Sequence, residues 1–213
     1  MTANLPLALG IALSPSAILP AVLVLLGPRG RAAGYAFAGA WWLGTAGVAI
    51  AVGSLAFAAP GDHKPTWAAI LRIAVGGGGL LTLAGRKWKG RATATSPAWL
   101  DSLGEATPAS AAKLGLLLTV ANPKVLMLAG AGGASIGTTA PTFAAELAAT
   151  ALFALVASST VLAPVVAATV GGRRATPVLE SLRRWLDAHT ATLLAVVTAV
   201  IGALVLYSGI SGI

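Results

Sequence analysis

The sequence predicts an all-α polytopic membrane protein: six transmembrane helices arranged as an inverted 3+3 repeat, with helices 1 and 4 broken at Pro15 and Pro123. Three observations lead there. Only 9% of the 213 residues are charged while 57% are hydrophobic, against roughly a quarter charged in a soluble domain. Too few charges remain to hydrate a globular surface. Six apolar stretches are each long enough to cross a bilayer, and two of them, three crossings apart, contain a proline directly preceded by a good helix-capping residue.

A helix needs about 20 apolar residues to cross a hydrocarbon core of roughly 30 Å, and lipid forces its backbone to pair within itself. Residues 5–26, 32–58, 67–85, 113–136, 142–170 and 190–211 meet that requirement. The first stretch carries Pro6, Pro15 and Pro20 and has no basic leader. It is expected to stay as a span and not to be removed as a signal peptide. Residues 1–213 are read as one transmembrane domain, with repeat 1 over about 1–90 and repeat 2 over about 110–213, joined by a basic cytoplasmic loop.

Charge sets the orientation. Arg29 and Arg31 lie in the first loop; Arg86, Lys87, Lys89, Arg91 and Lys113 in the third; Arg173, Arg174, Arg183 and Arg184 in the fifth. Of the 14 basic residues only Lys64, Arg72 and Lys124 lie elsewhere. Basic loops stay in the cytoplasm, so the protein is expected in the cell membrane, multi-pass, with both termini outside. The net charge of +8 reads as topology plus attraction to anionic headgroups, not as nucleic-acid binding, since no soluble domain carries it. In the fifth loop, Thr176-Pro177 suits a helix start. Val178, Leu179, Leu182, Trp185 and Leu186 then recur at helical spacing opposite Arg183 and Arg184, the pattern of an interfacial helix. Ser96-Pro97 opens a shorter version with Trp99, Leu100 and Leu103.

Ser14-Pro15 and Asn122-Pro123 interrupt spans one and four. At about 1.5 Å per residue both fall roughly 13–16 Å from the start of their segments, near the midplane. Proline within a helix removes a donor and clashes with the preceding turn, whereas Ser and Asn are good N-caps and Pro suits the first helical position. Each motif therefore reads as a break followed by a restart. Spans one and four run in opposite directions, so each half of the chain opens with a broken helix, as in inverted-repeat transporters. Two helix N-termini meeting at mid-membrane would present their positive ends to an anion.

Lys124 adds a full charge there. A cation at the bilayer centre costs at least roughly 2.5–3.5 kcal/mol and marks a functional site by default. Ser14, Pro15, Ser16, Asn122, Pro123 and Lys124 are the candidate substrate-binding residues, with Thr119 as a further polar neighbour; a kink, or a lysine snorkelling to the interface, is the structural alternative. Glu146 falls about one turn inside the fifth span and Arg72 about one turn inside the third. They are expected to pair or to reach the outer interface separately, or else Glu146 exchanges protons as a coupling carboxylate. The glycine run 76–79 permits close helix approach or local unwinding, the pair Gly133 and Gly137 fits close approach, and Trp41-Trp42 are assigned to the lipid- or interface-facing surface.

The chain contains no cysteine, and its two histidines, His63 and His189, fall in predicted loops. Thiol chemistry, metal binding and cofactors are therefore not expected. No nucleophile has an obvious base beside it, and an enzyme is not expected.

The opening LPLALGIALSPSAILPAVLVLLGPRGRAAGYAFAGAWWLG and the central SPAWLDSLGEATPASAAKLGLLLTVANPKVLMLAGAGG resemble the GAP (glycopeptidolipid addressing) proteins of the lysine-exporter (LysE) superfamily. These blocks cover about a third of the chain, in order, with a Trp-containing segment ahead of Asn-Pro-Lys. The resemblance implies movement of lipids or glycolipids to the surface of the actinobacterial cell envelope, with Ser14, Pro15, Asn122, Pro123 and Lys124 carried over from the motifs. Ser16 departs from the family pattern, where Pro or a bulky apolar residue is usual. The metal-exporting branches use acidic residues near the midplane, where this sequence has none.

Three functional readings stay open at this stage. The leading one is a transporter or flippase-like protein for an anionic lipid or glycolipid. The others are an exporter of a small polar solute, such as an amino acid or organic anion, and a non-transporting scaffold for a lipid-biosynthesis or export complex. Membrane lipids are the expected partners in the first, and homo-oligomerisation is compatible with all three.

Overall fold

The computed structural model describes residues 4–58 and 103–210. Among them are eight α-helices: α1 (Leu5–Ala12), α2 (Pro15–Leu26), α3 (Gly30–Ala58), α4 (Pro108–Val120), α5 (Pro123–Gly137), α6 (Phe143–Ala157), α7 (Ser159–Gly171) and α8 (Thr176–Ile210). A 3-10 turn, Gly172–Ala175, joins α7 to α8. Among the described residues α3 alone is, by length and composition, an unbroken helix long and apolar enough to cross a membrane; three bent pairs bring the count to as many as four, each pair taken as one span. Apolar helices of this kind mark a membrane protein. The predicted third span, 67–85, lies outside the described residues, as do Arg72, the glycine run 76–79 and Trp99.

At the two expected breaks, proline and the residue before it delimit the helices. α1 and α2 meet at 45° around Leu13 and Ser14, and α4 and α5 at 70° around Ala121 and Asn122. Pro15 and Pro123 each occupy the first helical position of the restarted helix, where the missing N–H has no carbonyl to serve anyway. Thr107 and Thr142 cap α4 and α6 by accepting hydrogen bonds from the Ser110 and Ala145 amides, each at 3.2 Å.

The unbroken α3 is the axis on which the rest is registered. Its N-terminal end forms a hairpin with α2, with Gly34 against the Leu25 side chain. α4 lies parallel to it, Gly115 on Phe37 to Trp41 and Thr119 on Gly44. α5 is also parallel, Gly133 on Ala49 and Gly137 on Gly53. Positions 119 to 133 of the broken helix thus advance only from 44 to 49 along α3, because the bend diverts the intervening residues sideways. α6 and α7 run antiparallel to α3, with Glu146 beside Gly53 and Val165 beside Gly34. α1 reaches α5 and α6 at the far end, where Leu5 and Ala8 face Ile136 and Phe153. Spans one and four therefore run in opposite directions.

The first loop, the described end of the third (residues 103–107) and the fifth gather at one end. A Cβ on Gly27 would overlap the Gly104 carbonyl, and Arg29, Arg31, Gly172 and Thr176 line one cleft there. Asn4 and the 137–142 turn lie at the other end, by the C-terminal part of α3.

Three sequence expectations are corrected. The interfacial helix at 178–186 and the sixth span are one helix, Thr176–Ile210. No Gly or Pro separates them, and the Arg183–Asp187 pair at i,i+4 (3.6 Å) bridges a turn of that helix, so His189 sits in a helix and not in a loop. The fifth span is not one straight helix but breaks by 67° at Ser158. Trp41 is fully buried, its ring stacked on Phe37 at 6.4 Å between centroids, because Gly44 and Gly115 let α4 close over that face.

Candidate functional site

Asn122 builds the α5 break in the way its chemistry allows. Its backbone is extended (φ −94°, ψ 106°), and its Oδ1 accepts a hydrogen bond from the Lys124 amide at 3.1 Å. The side chain thereby satisfies one of the amides that a helix start leaves without a carbonyl. Ser14 holds the same position before α2 with the same extended backbone, but its side chain makes no capping bond. Ser16 lies in the first turn of α2.

Lys124 occupies the second position of α5 and is 7% exposed; its Nζ has no hydrogen-bond partner among the described residues. It does not snorkel to the interface. Gly133, nine residues on, packs on Ala49, and nine residues are two and a half turns, so Lys124 is on the side of α5 turned away from α3.

The third break is the residue set that the sequence reading missed. Ser158 ends α6, and one residue into α7 Thr160 donates its hydroxyl to the Ala12 carbonyl at the end of α1. That bond ties the break in span five to the break in span one. A signal was present: Ser158, Ser159 and Thr160 are three consecutive hydroxyl residues inside an apolar stretch, a run able to divert backbone bonding.

All three breaks lie at one depth. Ser158 lies between the Glu146–Gly53 and Val165–Gly34 contacts with α3, Asn122 lies between the Thr119–Gly44 and Gly133–Ala49 contacts, and the Thr160–Ala12 bond sets the Leu13–Ser14 break level with Ser158. These levels fall in the middle of a helix that covers roughly 43 Å at 1.5 Å per residue. Ser14, Trp41, Thr45, Thr119 and Ser158 are all wholly buried. Thr119 bonds its own helix at the Leu116 carbonyl, at 2.6 Å. The Trp41 Nε1, Thr45 Oγ1 and Ser158 Oγ atoms have no partner among the described residues. Buried polar atoms are nearly always paired, and each orphan costs about 1–3 kcal/mol. Orphans at the level of the breaks are groups that a polar guest would satisfy.

Glu146 stands apart from this centre, near the opposite end of α3 from the basic loops. It is fully buried, not at the interface, and the Ser54 hydroxyl donates to its Oε1 at 3.2 Å. Its Oε2 has no partner among the described residues, and Arg72 lies outside them. On α6, Glu146, Thr150, Ala154 and Ser158 recur every fourth residue and are all fully buried. Three of the four are polar, and the stripe leads from Glu146 to the central break. Ser14, Asn122 and Lys124 are thus brought to one level, whereas Glu146 is linked to that level only through its own helix.

A fissure of about 110 Å³ opens between α1, α5 and α6, walled by Leu5, Ala8, Ile136, Leu152, Phe153 and Val156. Apart from Asn4 at its end, its walls are apolar.

The model of a family described as Sap, sulfolipid-1-addressing protein (SfLAP) matches residues 5–211, the whole of the arrangement just described. The chain belongs to the SfLAP family. No curated protein and no solved structure matches the chain. SfLAP is a lipid-addressing family, and the resemblance read from the sequence agrees with it at that level. All three breaks, Lys124 and the Glu146 stripe fall within the SfLAP match.

Proposed function

We propose that this SfLAP protein is a six-span, inverted-repeat transporter or flippase-like carrier that moves an anionic lipid or glycolipid toward the cell surface. In this reading it is a member of the LysE superfamily close to the GAP proteins, resident in the cell membrane with both termini outside. The observation that carries the reading is Lys124: an ammonium group buried at mid-depth without a partner among the described residues, beside the start of α5. A sulfate, phosphate or carboxylate headgroup would meet that charge, the free amides of the helix start and the neighbouring hydroxyls. The family description makes a sulfated lipid the first cargo to try.

The apolar fissure between α1, α5 and α6 favours lipid over a small solute, because acyl chains can stay in an apolar wall while the headgroup reaches the centre. Glu146 serves as the proton site of the cycle. Neither α3 nor α5 turns a titratable side chain toward it; Lys124 is at the opposite end of α5. Its carboxylate lies against Gly53, and the stripe through Thr150 to Ser158 leads from it toward the breaks.

The test is lipid retained by the purified protein, identified by native mass spectrometry, together with surface-lipid export in cells carrying Lys124→Ala or Lys124→Glu. Both variants are expected to lose the anionic lipid and its export, Lys124→Glu more completely. Unchanged retention and export in both would remove the anion seat. Normal export in the variants combined with capture of a biosynthetic enzyme would favour a scaffold.

A further inference from the structure

The basic end carries a second site. Leu25 and Leu26 at the end of α2, the turn through Pro28, the start of α3, Ala168 of α7, Gly172, and Thr176 and Leu179 of α8 enclose an open cleft of about 600 Å³. Its floor is apolar: Leu25, Ala168 and Leu179 are each buried. Its rim is cationic, with Arg29 and Arg31 both exposed. Neither has an acidic partner among the described residues, where the ion pair formed is Arg183–Asp187, further along α8.

Arg31 reaches across the mouth. A Cβ on Gly172 would lie 3.5 Å from the Arg31 Nη2, so the guanidinium sits over the backbone of the α7–α8 connection. Gly172 has φ +55°, a left-handed conformation that only glycine adopts without strain. The connection can therefore turn back under the guanidinium and leave the cleft open on its apolar side.

We infer that this cleft binds the headgroup of an anionic glycerophospholipid in the leaflet at the basic end, with acyl carbons lying on Leu25 and Leu179. Guanidinium groups offer forked donors that match phosphate oxygens. A free anion would be served by the rim alone and would gain nothing from the floor; an amphiphile uses both. The site is distinct from the Lys124 centre, since Arg31 and the level of Thr45 are separated by roughly 20 Å of α3. The inference goes beyond the proposed cargo and holds whether or not Lys124 seats one.

The experiment uses the full chain in detergent, titrated with dioleoylphosphatidylglycerol or dioleoylphosphatidylcholine and read by native mass spectrometry. Wild-type protein is expected to retain phosphatidylglycerol in preference to phosphatidylcholine. R29Q/R31Q should weaken that retention roughly 10–30-fold at an unchanged melting temperature. R183Q/R184Q, with the same loss of formal charge, should leave this retention in place. Equal loss in the two arginine double variants would reduce the effect to general charge and overturn the site. So would undiminished retention in R29Q/R31Q, or full displacement of the lipid by millimolar inorganic phosphate. If R29Q/R31Q melts lower, R29K/R31K decides: kept lipid preference supports the site, and its loss in a stably folded R29K/R31K protein refutes a charge-based headgroup contact.

Discussion

Gly133→Ala probes the contact that holds α5 against α3, and with it the position of Lys124. A Cβ there would overlap the Ala49 carbonyl oxygen and stand 2.7 Å from its carbon and 2.8 Å from the Ala49 Cα. All are backbone atoms of an unbroken helix and cannot rotate away. Ordinary contact starts near 3.4 Å, so α5 must withdraw by more than half an ångström. Overpacking of this kind costs about 1–3 kcal/mol, against which alanine recovers about 0.8–1 kcal/mol of helix propensity. The net loss, up to about 2 kcal/mol, corresponds to a melting temperature lower by up to roughly 8 °C for a chain of this size. Gly47→Ala supplies the opposite sign. Nothing lies within 4 Å of a Cβ at Gly47, so only the propensity gain remains and melting should rise by roughly 2–4 °C. Thermal unfolding of both variants in detergent, followed by tryptophan fluorescence, measures the pair. Equal melting temperatures for Gly133→Ala and Gly47→Ala would refute the close approach of α3 and α5.

Three further outcomes are expected. Asn122→Ala removes the cap on the Lys124 amide and should cost about 0.5–2 kcal/mol, most of it restored in Asn122→Ser; thermal unfolding reads both. Glu146→Gln keeps the carboxamide neutral, so lipid movement in reconstituted vesicles should lose its response to a pH gradient while melting is preserved; a full response excludes the proton role. Because the chain has no cysteine, single cysteines at Arg31, Thr176 and Thr139 report topology directly. An impermeant maleimide applied to intact cells should label Thr139→Cys and spare the other two; labelling of Arg31→Cys would reverse the assigned orientation.

Much of the centre was legible because proline and its capping neighbour act locally. Ser14-Pro15 and Asn122-Pro123 specify break and restart within a few residues, whatever packs around them, and both breaks are where the motifs put them. The Ser158 break has no proline at its restart, so its location depends on Thr160 finding the Ala12 carbonyl 148 residues away in sequence. Trp41 was misassigned for a related reason. A tryptophan pair in an apolar helix reads as interface, and only the passage of α4 over Gly44 decides that the first of the two is core. The same break in span five, with no counterpart in the unbroken α3, departs from strict symmetry between the halves.

By itself the sequence determined that this chain is helical and apolar, where two of its helices break, which end is basic, and that one lysine must be placed at a cost in the middle of a span. Composition, proline geometry and charge act at short range and need no partner to be read. Only the tertiary structure decided that three breaks share one depth and that Lys124 is buried on the side of α5 away from α3. It also decided that Glu146 is sealed against Gly53 and that Arg29 and Arg31 overhang an apolar cleft. Those features arise where helices far apart in the chain touch, and glycine-sized differences in how closely they approach determine which atoms meet.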